Sequence, residues 1–199
     1  MTLKEKTINK IITVEGGYVN HKDDSGGETM HGITKETAYS HGYRGDMRYL
    51  SRATAFEIYA ATFWDAQNLS KVEELSYEVT KELADTGVNM GTKTAAIFLQ
   101  RCLNVLNNKA KHYRDINVDG KIGRETIRSL RLYLKGRGKE GEEVLVVALN
   151  GLQTARYITL AERNMKNESF VYGWLSHRVT KPLKSFFASI GTFKSIEHA

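Results

Sequence analysis

Apolar residues recur at helical spacing along most of this 199-residue chain, and glycines separate the recurring stretches. Within residues 3–15, Ile8, Ile11 and Ile12 share one face, and Gly16 and Gly17 follow at the end of the stretch. Apolar spacings of three and four residues are typical of an amphipathic helix, and glycine commonly ends one. The sequence therefore predicts a helix over residues 3–15 and a mainly α-helical chain.

Similar patterns predict helices over most of the remaining sequence, with Thr34 and Ser51 as caps. The predicted helices cover residues 35–41, 52–67, 76–90, 94–107, 124–135, 142–166 and 168–179. Residues 22–34 lack this period and contain Asp, Ser and paired Gly, which indicates a turn and a short β-hairpin. Three glycines, Gly136, Gly138 and Gly141, predict a break between two helices.

Composition excludes some classes of protein and leaves others open. A hydrophobic share of 41% with 26% charged residues is typical of a folded globular chain, and no stretch approaches the ~20 apolar residues of a membrane span. The single cysteine, Cys102, excludes an internal disulfide, and its apolar neighbours predict a buried, inert thiol. The net charge of +6 favours a polyanionic partner, which is nucleic acid, an anionic membrane or a cell-wall polymer.

Glu15 lies on the apolar face of the first predicted helix, seven residues after Ile8 and in the last turn. A structural acid in such a place is usually paired with a lysine or arginine, and that interpretation stays open. The functional alternative is a general acid. Partial burial and the negative end of the helix dipole would both favour a carboxyl group that keeps its proton near neutral pH.

A second carboxylate follows in the polar, glycine-rich turn after Glu15. A glycosidase needs one protonated carboxyl group for the leaving oxygen and one ionised group that directs water or attacks the sugar. Asp24 meets the second requirement, with Asp23 as its immediate competitor, and Thr29 is expected to hold a water beside Asp24. The glycines of the turn leave room for a sugar beside the backbone, and the expected sugar-binding residues around it are Tyr18, Gly26, Gly27 and His31, with Glu28 at the rim.

Residues 15–18, 24–29 and 32–34 read Glu-Gly-Gly-Tyr, Asp-Ser-Gly-Gly-Glu-Thr and Gly-Ile-Thr. Together they resemble glycoside hydrolase family 108, the N-acetylmuramidase endolysins of bacteriophages and the related muramidases encoded beside bacterial toxin-secretion genes. The arrangement also resembles, more distantly, the Glu, Asp and Thr of phage lysozymes, which have eight residues between Glu and Asp. Five residues separate Asp from Thr there, whereas four separate Asp24 from Thr29 here.

The resemblance implies a lysozyme-like α+β fold, a helical bundle with a small β-hairpin near the N-terminus beside the active-site cleft. It also implies hydrolysis of the β-1,4 bond between N-acetylmuramic acid and N-acetylglucosamine, without a cofactor. In that comparison Glu15 protonates the glycosidic oxygen while Asp24 and Thr29 position a water, which inverts the sugar. Retention stays open, and so does the choice between a phage endolysin, which causes bacteriolysis, and a toxin-secretion role.

The second half of the chain contains Asp115, Asn117, Asp119 and Gly120 at calcium-loop positions, but Thr126 stands where a bidentate Glu is required. We therefore predict no metal site. The run Asp119-Gly120 through Thr126 resembles the Asp-Gly-x-x-Gly-x-x-Thr signature of peptidoglycan-binding modules.

Three further residues in this half are candidates for binding substrate. Tyr172 and Trp174 are candidates for stacking on a sugar or stem peptide, with core packing as the alternative. Asn89 shares a helix face with Asp85 and is a candidate for the cleft wall, with a hydrogen bond within the helix as the alternative.

These features predict a catalytic muramidase segment over residues 1–91, a helical peptidoglycan-binding region over 92–178 and a tail over 179–199. The expected partners of this monomer are the glycan strands and stem peptides of peptidoglycan, with no nucleic acid and no stable membrane insertion. Because the N-terminus lacks a small-residue cleavage site, we expect synthesis in the cytoplasm and action on periplasmic peptidoglycan after holin- or lysis-dependent release. The alternatives are a non-catalytic wall-binding protein and a basic nucleic-acid-binding protein.

Overall fold

The computed structural model describes residues 1–20 and 27–189, and almost all of its regular structure is helical. The elements are α1 (Leu3–Glu15), β1 (Thr29–Met30), β2 (Ile33–Thr34), α2 (Lys35–Ser40), α3 (Arg52–Tyr59), α4 (Leu69–Glu73), α5 (Tyr77–Met90), α6 (Thr92–Leu106), α7 (Arg124–Arg163), α8 (Glu168–Leu175) and α9 (Lys181–Ser189). Short 3-10 turns occur at Met47–Tyr49 and Met165–Asn167, and π-helical turns at Ala60–Asp65 and Ser176–Thr180. The predicted mainly α fold with an N-terminal hairpin is confirmed.

The contacts divide the chain into two compact units, Met1–Ser70 and Lys71–Ala199. In the first unit, Thr2 and Glu5 form a reciprocal capping box that starts α1. The helix buries its isoleucine face against α3 and the π-helical turn after it, where Trp64 is fully buried. The antiparallel hairpin pairs Thr29 with Thr34, and the hydroxyl of Thr34 then caps α2.

In the second unit, α5, α6 and α7 pack against one another around a core of leucines. Its fully buried members include Leu83, Leu99, Leu103, Leu130 and Leu145. Cys102 is 3% exposed, and burial raises its pKa to about 11, which confirms an inert thiol. The boundary drawn from the sequence between residues 91 and 92 stays a prediction.

The predicted glycine-rich break is confirmed at Gly138 (φ 60°, ψ −147°), where two helical segments meet at a kink within Arg124–Arg163. The first residues of the predicted tail belong to α9, which ends at Ser189.

The helix α7 is also long and apolar enough to cross a membrane, with a mean hydropathy of 1.3 over its most apolar 18 residues. By length and composition alone, this helix therefore passes a test that the sequence analysis expected no stretch to pass. The helix nevertheless packs against α5 and α6 and buries Asn150 and Gln153 along with its leucines, as a core helix of a globular unit does.

Candidate active site around Glu15 and the hairpin turn

Glu15 is the last residue of α1, and the turn of the hairpin packs directly on its side chain. A Cβ atom placed on Gly32 would lie 2.7 Å from Glu15 Cγ and 2.8 Å from Tyr59 Oη. Gly32 also has a φ of +75°, a conformation that side chains with a Cβ rarely adopt. Only glycine therefore lets the turn approach the carboxylate of Glu15 this closely.

The predicted burial of Glu15 is wrong, because its side chain is exposed. Its angular position on the helix agrees with that of Ile8, which is fully buried. The last turn of α1, however, extends past the core: Val14, beside Glu15, is 75% exposed. The hairpin turn packs on the stem of Glu15, and Tyr59 Oη lies beside the same point of the turn.

Two hydrogen bonds tie the hairpin turn to the helices around it. Tyr59 Oη donates to the carbonyl oxygen of His31 at 2.9 Å. The Nδ1 atom of His31 lies 3.1 Å from the carbonyl oxygen of Gly16, which accepts a hydrogen bond when Nδ1 carries the proton. His31, predicted to contact sugar, thus bonds to the chain directly after Glu15.

Tyr59 follows the apolar helical spacing of α3, and the structure gives it a place at the site. Burial raises its pKa to about 12, and the negative charge of Glu15 adds to the effect. The hydroxyl therefore stays protonated and available as a donor. Helical spacing alone gave no signal for this contact, since Tyr59 follows the same apolar pattern as its buried neighbours.

Thr29 lies at the start of the hairpin, half-buried, and pairs with Val19. The backbone nitrogen of each residue donates to the carbonyl oxygen of the other, at 2.8 and 3.0 Å. This bridge joins the two ends of the segment that contains Asp23, Asp24 and Gly26, which lie outside the described residues. Gly27, the next residue, is exposed with a φ of +64°.

The carboxylate of Glu28, the residue before Thr29, accepts a hydrogen bond at each of its two oxygens. Its Oε1 accepts a hydrogen bond from Tyr18 Oη at 2.8 Å, and its Oε2 pairs with Lys35 Nζ at 2.7 Å. Hydrogen bonds from Lys35 and then Tyr18 lower the pKa of Glu28, whereas the bond to Glu28 raises the pKa of Tyr18. Glu28 is thus ionised, and it connects the segment before the hairpin to the start of α2. Tyr18, which was predicted to contact sugar, donates a hydrogen bond to this carboxylate.

The remaining predicted site residues lie in the C-terminal unit. Asn89 Nδ2 donates to the carbonyl oxygen of Asp85 at 2.6 Å, which matches a hydrogen bond within the helix. Tyr172 is 83% exposed, so the core alternative does not hold for it. Trp174 stacks between Phe170 and Tyr157, with ring centroids 6.2 and 5.3 Å away.

The calcium-like loop uses its carboxylates internally. Asp119 Oδ1 accepts from Gln100 Nε2 at 2.8 Å and from the backbone nitrogen of Lys121 at 2.9 Å, while Asp115 accepts from Asn107. Among the residues that the structure describes, no group of three or more His, Cys, Asp or Glu side chains is arranged to hold a metal ion.

Comparison with known proteins gives two matched segments that meet near residue 92, whereas the compact units of the structure divide after Ser70. The family model described as Glycosyl hydrolase 108 matches residues 8–91, and the one described as Predicted Peptidoglycan domain matches residues 94–179. The solved structure of SagA from Brucella abortus is similar in fold, with a TM-score of 0.57 and 22% identity over 98% of each chain. No curated protein sequence matches significantly.

Residues 8–91 therefore match glycosyl hydrolase family 108, and a peptidoglycan domain follows this segment. The two matches together support a glycoside hydrolase that acts on peptidoglycan.

Proposed function

We propose that this peptidoglycan hydrolase is a lysozyme-type N-acetylmuramidase, which cleaves the β-1,4 bond between N-acetylmuramic acid and N-acetylglucosamine. Glu15 acts as the general acid, and Asp24 and Thr29 position the attacking water. The supporting observation is the close packing of Gly32 on the side chain of Glu15, an exposed residue at the end of α1 within the matched hydrolase segment.

The exposure of Glu15 in the free protein is compatible with an acid role. A bound glycan covers the carboxyl group and excludes water from it. The proton of Glu15 passes to the glycosidic oxygen as the bond to the anomeric carbon breaks. A water held by Asp24 and Thr29 adds to that carbon and gives up its proton to the carboxylate of Asp24, which inverts the sugar.

The first test replaces Glu15 with Gln, which keeps the size of the side chain and removes the acid. We expect the wild-type protein to clear outer-membrane-permeabilised Gram-negative cells, and we expect clearing by Glu15→Gln to be about 10²–10⁴-fold weaker. The matched control is Glu36→Gln, at an exposed glutamate in the first turn of α2, and it should retain activity. Full activity of Glu15→Gln with an unchanged melting temperature would refute the mechanism.

The second test separates the two candidate partners of Glu15. We expect Asp24→Asn to reduce hydrolysis far more than Asp23→Asn, because only Asp24 has the spacing from Glu15 that phage lysozymes have. Equal losses of hydrolysis in the two variants would contradict the assignment of Asp24 as the partner of Glu15. Proton NMR of the first product anomer then distinguishes inversion from retention.

The bond that is cut is identified by mass spectrometry of muropeptides released from purified sacculi. New reducing ends at N-acetylmuramic acid are the expected result, and reducing ends at N-acetylglucosamine would make the enzyme a glucosaminidase.

We further propose that the enzyme reaches periplasmic peptidoglycan through a holin or cell lysis, as in phage bacteriolysis. Cells that express the gene alone should then keep their turbidity, and co-expression of a holin should clear them. Clearing without a holin would contradict this route. Binding of DNA without any clearing of permeabilised cells would favour the nucleic-acid alternative.

A further inference from the structure

A long loop in the C-terminal unit, residues 107–123, has no helix or strand of its own but is held by amide side chains of α6. Asn104 Nδ2 donates to the carbonyl oxygen of Ile116 at 2.8 Å, and Asn104 Oδ1 accepts from the nitrogen of Ile116 at 2.9 Å. Asn107 accepts from the nitrogen of Ala110 at 2.9 Å. The loop is therefore bonded to one face of the helix.

Gln100, one turn earlier on the same face, holds the other end of this loop. It is 1% exposed; its Nε2 donates to Asp119 Oδ1 at 2.8 Å and to the carbonyl oxygen of Lys121 at 2.9 Å, and its Oε1 accepts from the nitrogen of Gly120 at 2.9 Å. Loops of this length without regular structure are uncommon in compact domains and are usually functional. A loop held by buried amides is preorganised, which lowers the entropic cost of binding a ligand.

A groove of about 920 Å³ lies between this loop and the start of α7. Its volume is within the range of ligand sites, about 300–1,000 Å³. Five exposed cationic side chains line it: Lys111, Arg114, Lys121, Arg124 and Arg128. Within the described part of the chain, Arg124 and Arg128 form salt bridges with Glu125, at 4.0 and 3.7 Å, and the charge of Lys121 acts on Asp119.

The groove therefore has a net positive charge and is suited to bind anions. The long helix α7 begins at its edge, where Gly123 offers no side chain to the first turn, so the positive end of the helix adds to the same field.

We propose that this cationic groove binds the carboxylate-bearing stem peptide of peptidoglycan. The inference rests on the proposed function and assigns the second domain its own ligand, the peptide, while the hydrolase segment acts on the glycan. The free carboxylates of the stem peptide pair with the lysines and arginines of the groove, and its backbone amides find acceptors in Asp115 and Asn117, which line the same groove.

The mixed charge of the groove favours a peptide over a phosphate polymer. Nucleic acid presents closely spaced phosphates and is attracted by uninterrupted positive charge. Asp115, Asp119 and Glu125 stand among the cations here and would repel such phosphates. A stem peptide, in which carboxylates alternate with amide groups, matches donors and acceptors of both kinds.

The test measures binding of a synthetic stem pentapeptide to the full chain by isothermal titration calorimetry. The comparison ligand is the same peptide with its carboxylates amidated, and we expect it to bind at least about 10-fold more weakly. The double variant Lys121→Glu, Arg124→Glu should lose affinity for the free pentapeptide to a similar extent. The matched control is Arg131→Glu, an exposed arginine on the same helix that does not line the groove, and it should bind as the wild type does.

Hydrolysis of peptide-free glycan strands, prepared with an amidase, separates this inference from the proposed function. The double variant should cut these strands at the wild-type rate and cut intact sacculi more slowly. If the wild type binds the pentapeptide but cuts no glycan, the proposed function is wrong, and the assignment of the groove to the stem peptide is supported. Equal affinity for the free and amidated peptides, or binding of a single-stranded oligonucleotide in place of the pentapeptide, would overturn the inference. Should the double variant unfold, Arg128→Gln is measured in its place and should weaken pentapeptide binding.

Discussion

Replacing Gly32 with alanine tests whether the hairpin turn positions Glu15. The new Cβ would lie 2.7 and 2.8 Å from Glu15 Cγ and Cβ and 2.8 Å from Tyr59 Oη. Carbon atoms in contact lie about 3.5 Å or more apart, so Glu15 must retreat by roughly 0.7 Å. Misplacing a catalytic group by about 1 Å costs about 10²-fold in rate, so we expect Gly32→Ala to reduce sacculus hydrolysis by about 10- to 100-fold.

Stability should change as well, and a second glycine provides the control. Alanine in the left-handed conformation costs about 1–2 kcal/mol at either position, because Gly32 has a φ of +75° and Gly42 a φ of +87°. Gly42 has nothing within 4 Å of the new Cβ. Gly32→Ala should therefore cost about 1–3 kcal/mol more than Gly42→Ala, since the overpacking is added.

The assay compares the free energy of unfolding in urea with the rate of muropeptide release for both variants. Gly42→Ala should be less stable and fully active at temperatures where it is folded. If Gly32→Ala matches Gly42→Ala in both stability and rate, the packing of the turn on Glu15 has no role in catalysis.

Three other changes give defined outcomes. Burial raises the pKa of Glu82 to about 8 from 4.5, so the folded state holds a proton that the unfolded state releases, and stability should fall by up to about 1.4 kcal/mol per unit between pH 4.5 and 8. Glu82→Gln should flatten this slope in urea titrations at several pH values, and an unchanged slope would contradict the assignment. Gln100→Ala should cost about 2–4 kcal/mol in urea unfolding, because it leaves the nitrogen of Gly120 without its acceptor; a cost below 1 kcal/mol would show that the loop is not held by this amide. Tyr59→Phe removes the bond to the carbonyl oxygen of His31 and should cost about 1 kcal/mol and lower hydrolysis; unchanged values of both would exclude a positioning role.

Much of the fold was predictable because helices depend on local spacing. The predicted helix over residues 76–90 and the observed α5, Tyr77–Met90, agree within one residue, and the first predicted helix matches α1 at both ends. The caps at Thr34 and Ser51 are confirmed, since each hydroxyl accepts from the backbone nitrogen three residues on. The break predicted from Gly136, Gly138 and Gly141 is confirmed as a kink at Gly138, where the φ of 60° departs from the helical conformation.

The site was predictable in part. The position of Glu15 at the end of α1 and that of Thr29 on the hairpin were correct, and the roles of both stay predictions. The burial of Glu15 was wrong, and the bond of Tyr59 to His31 and the binding of Glu28 by Tyr18 and Lys35 were missed. These contacts join segments that are distant in sequence, so no local pattern contains them.

By itself, the sequence determined where the helices lie, which faces are apolar, where the hairpin turns and which family signature the chain contains. Each of these follows from the identity and spacing of nearby residues. The tertiary structure alone decided that the last turn of α1 is exposed, that the hairpin turn packs on Glu15, and that side-chain amides in and after α6 hold the loop beside a cationic groove. The reason is physical: exposure, close approach and hydrogen bonding depend on which distant surfaces pack together, and helical periodicity specifies only the surface that is available for packing.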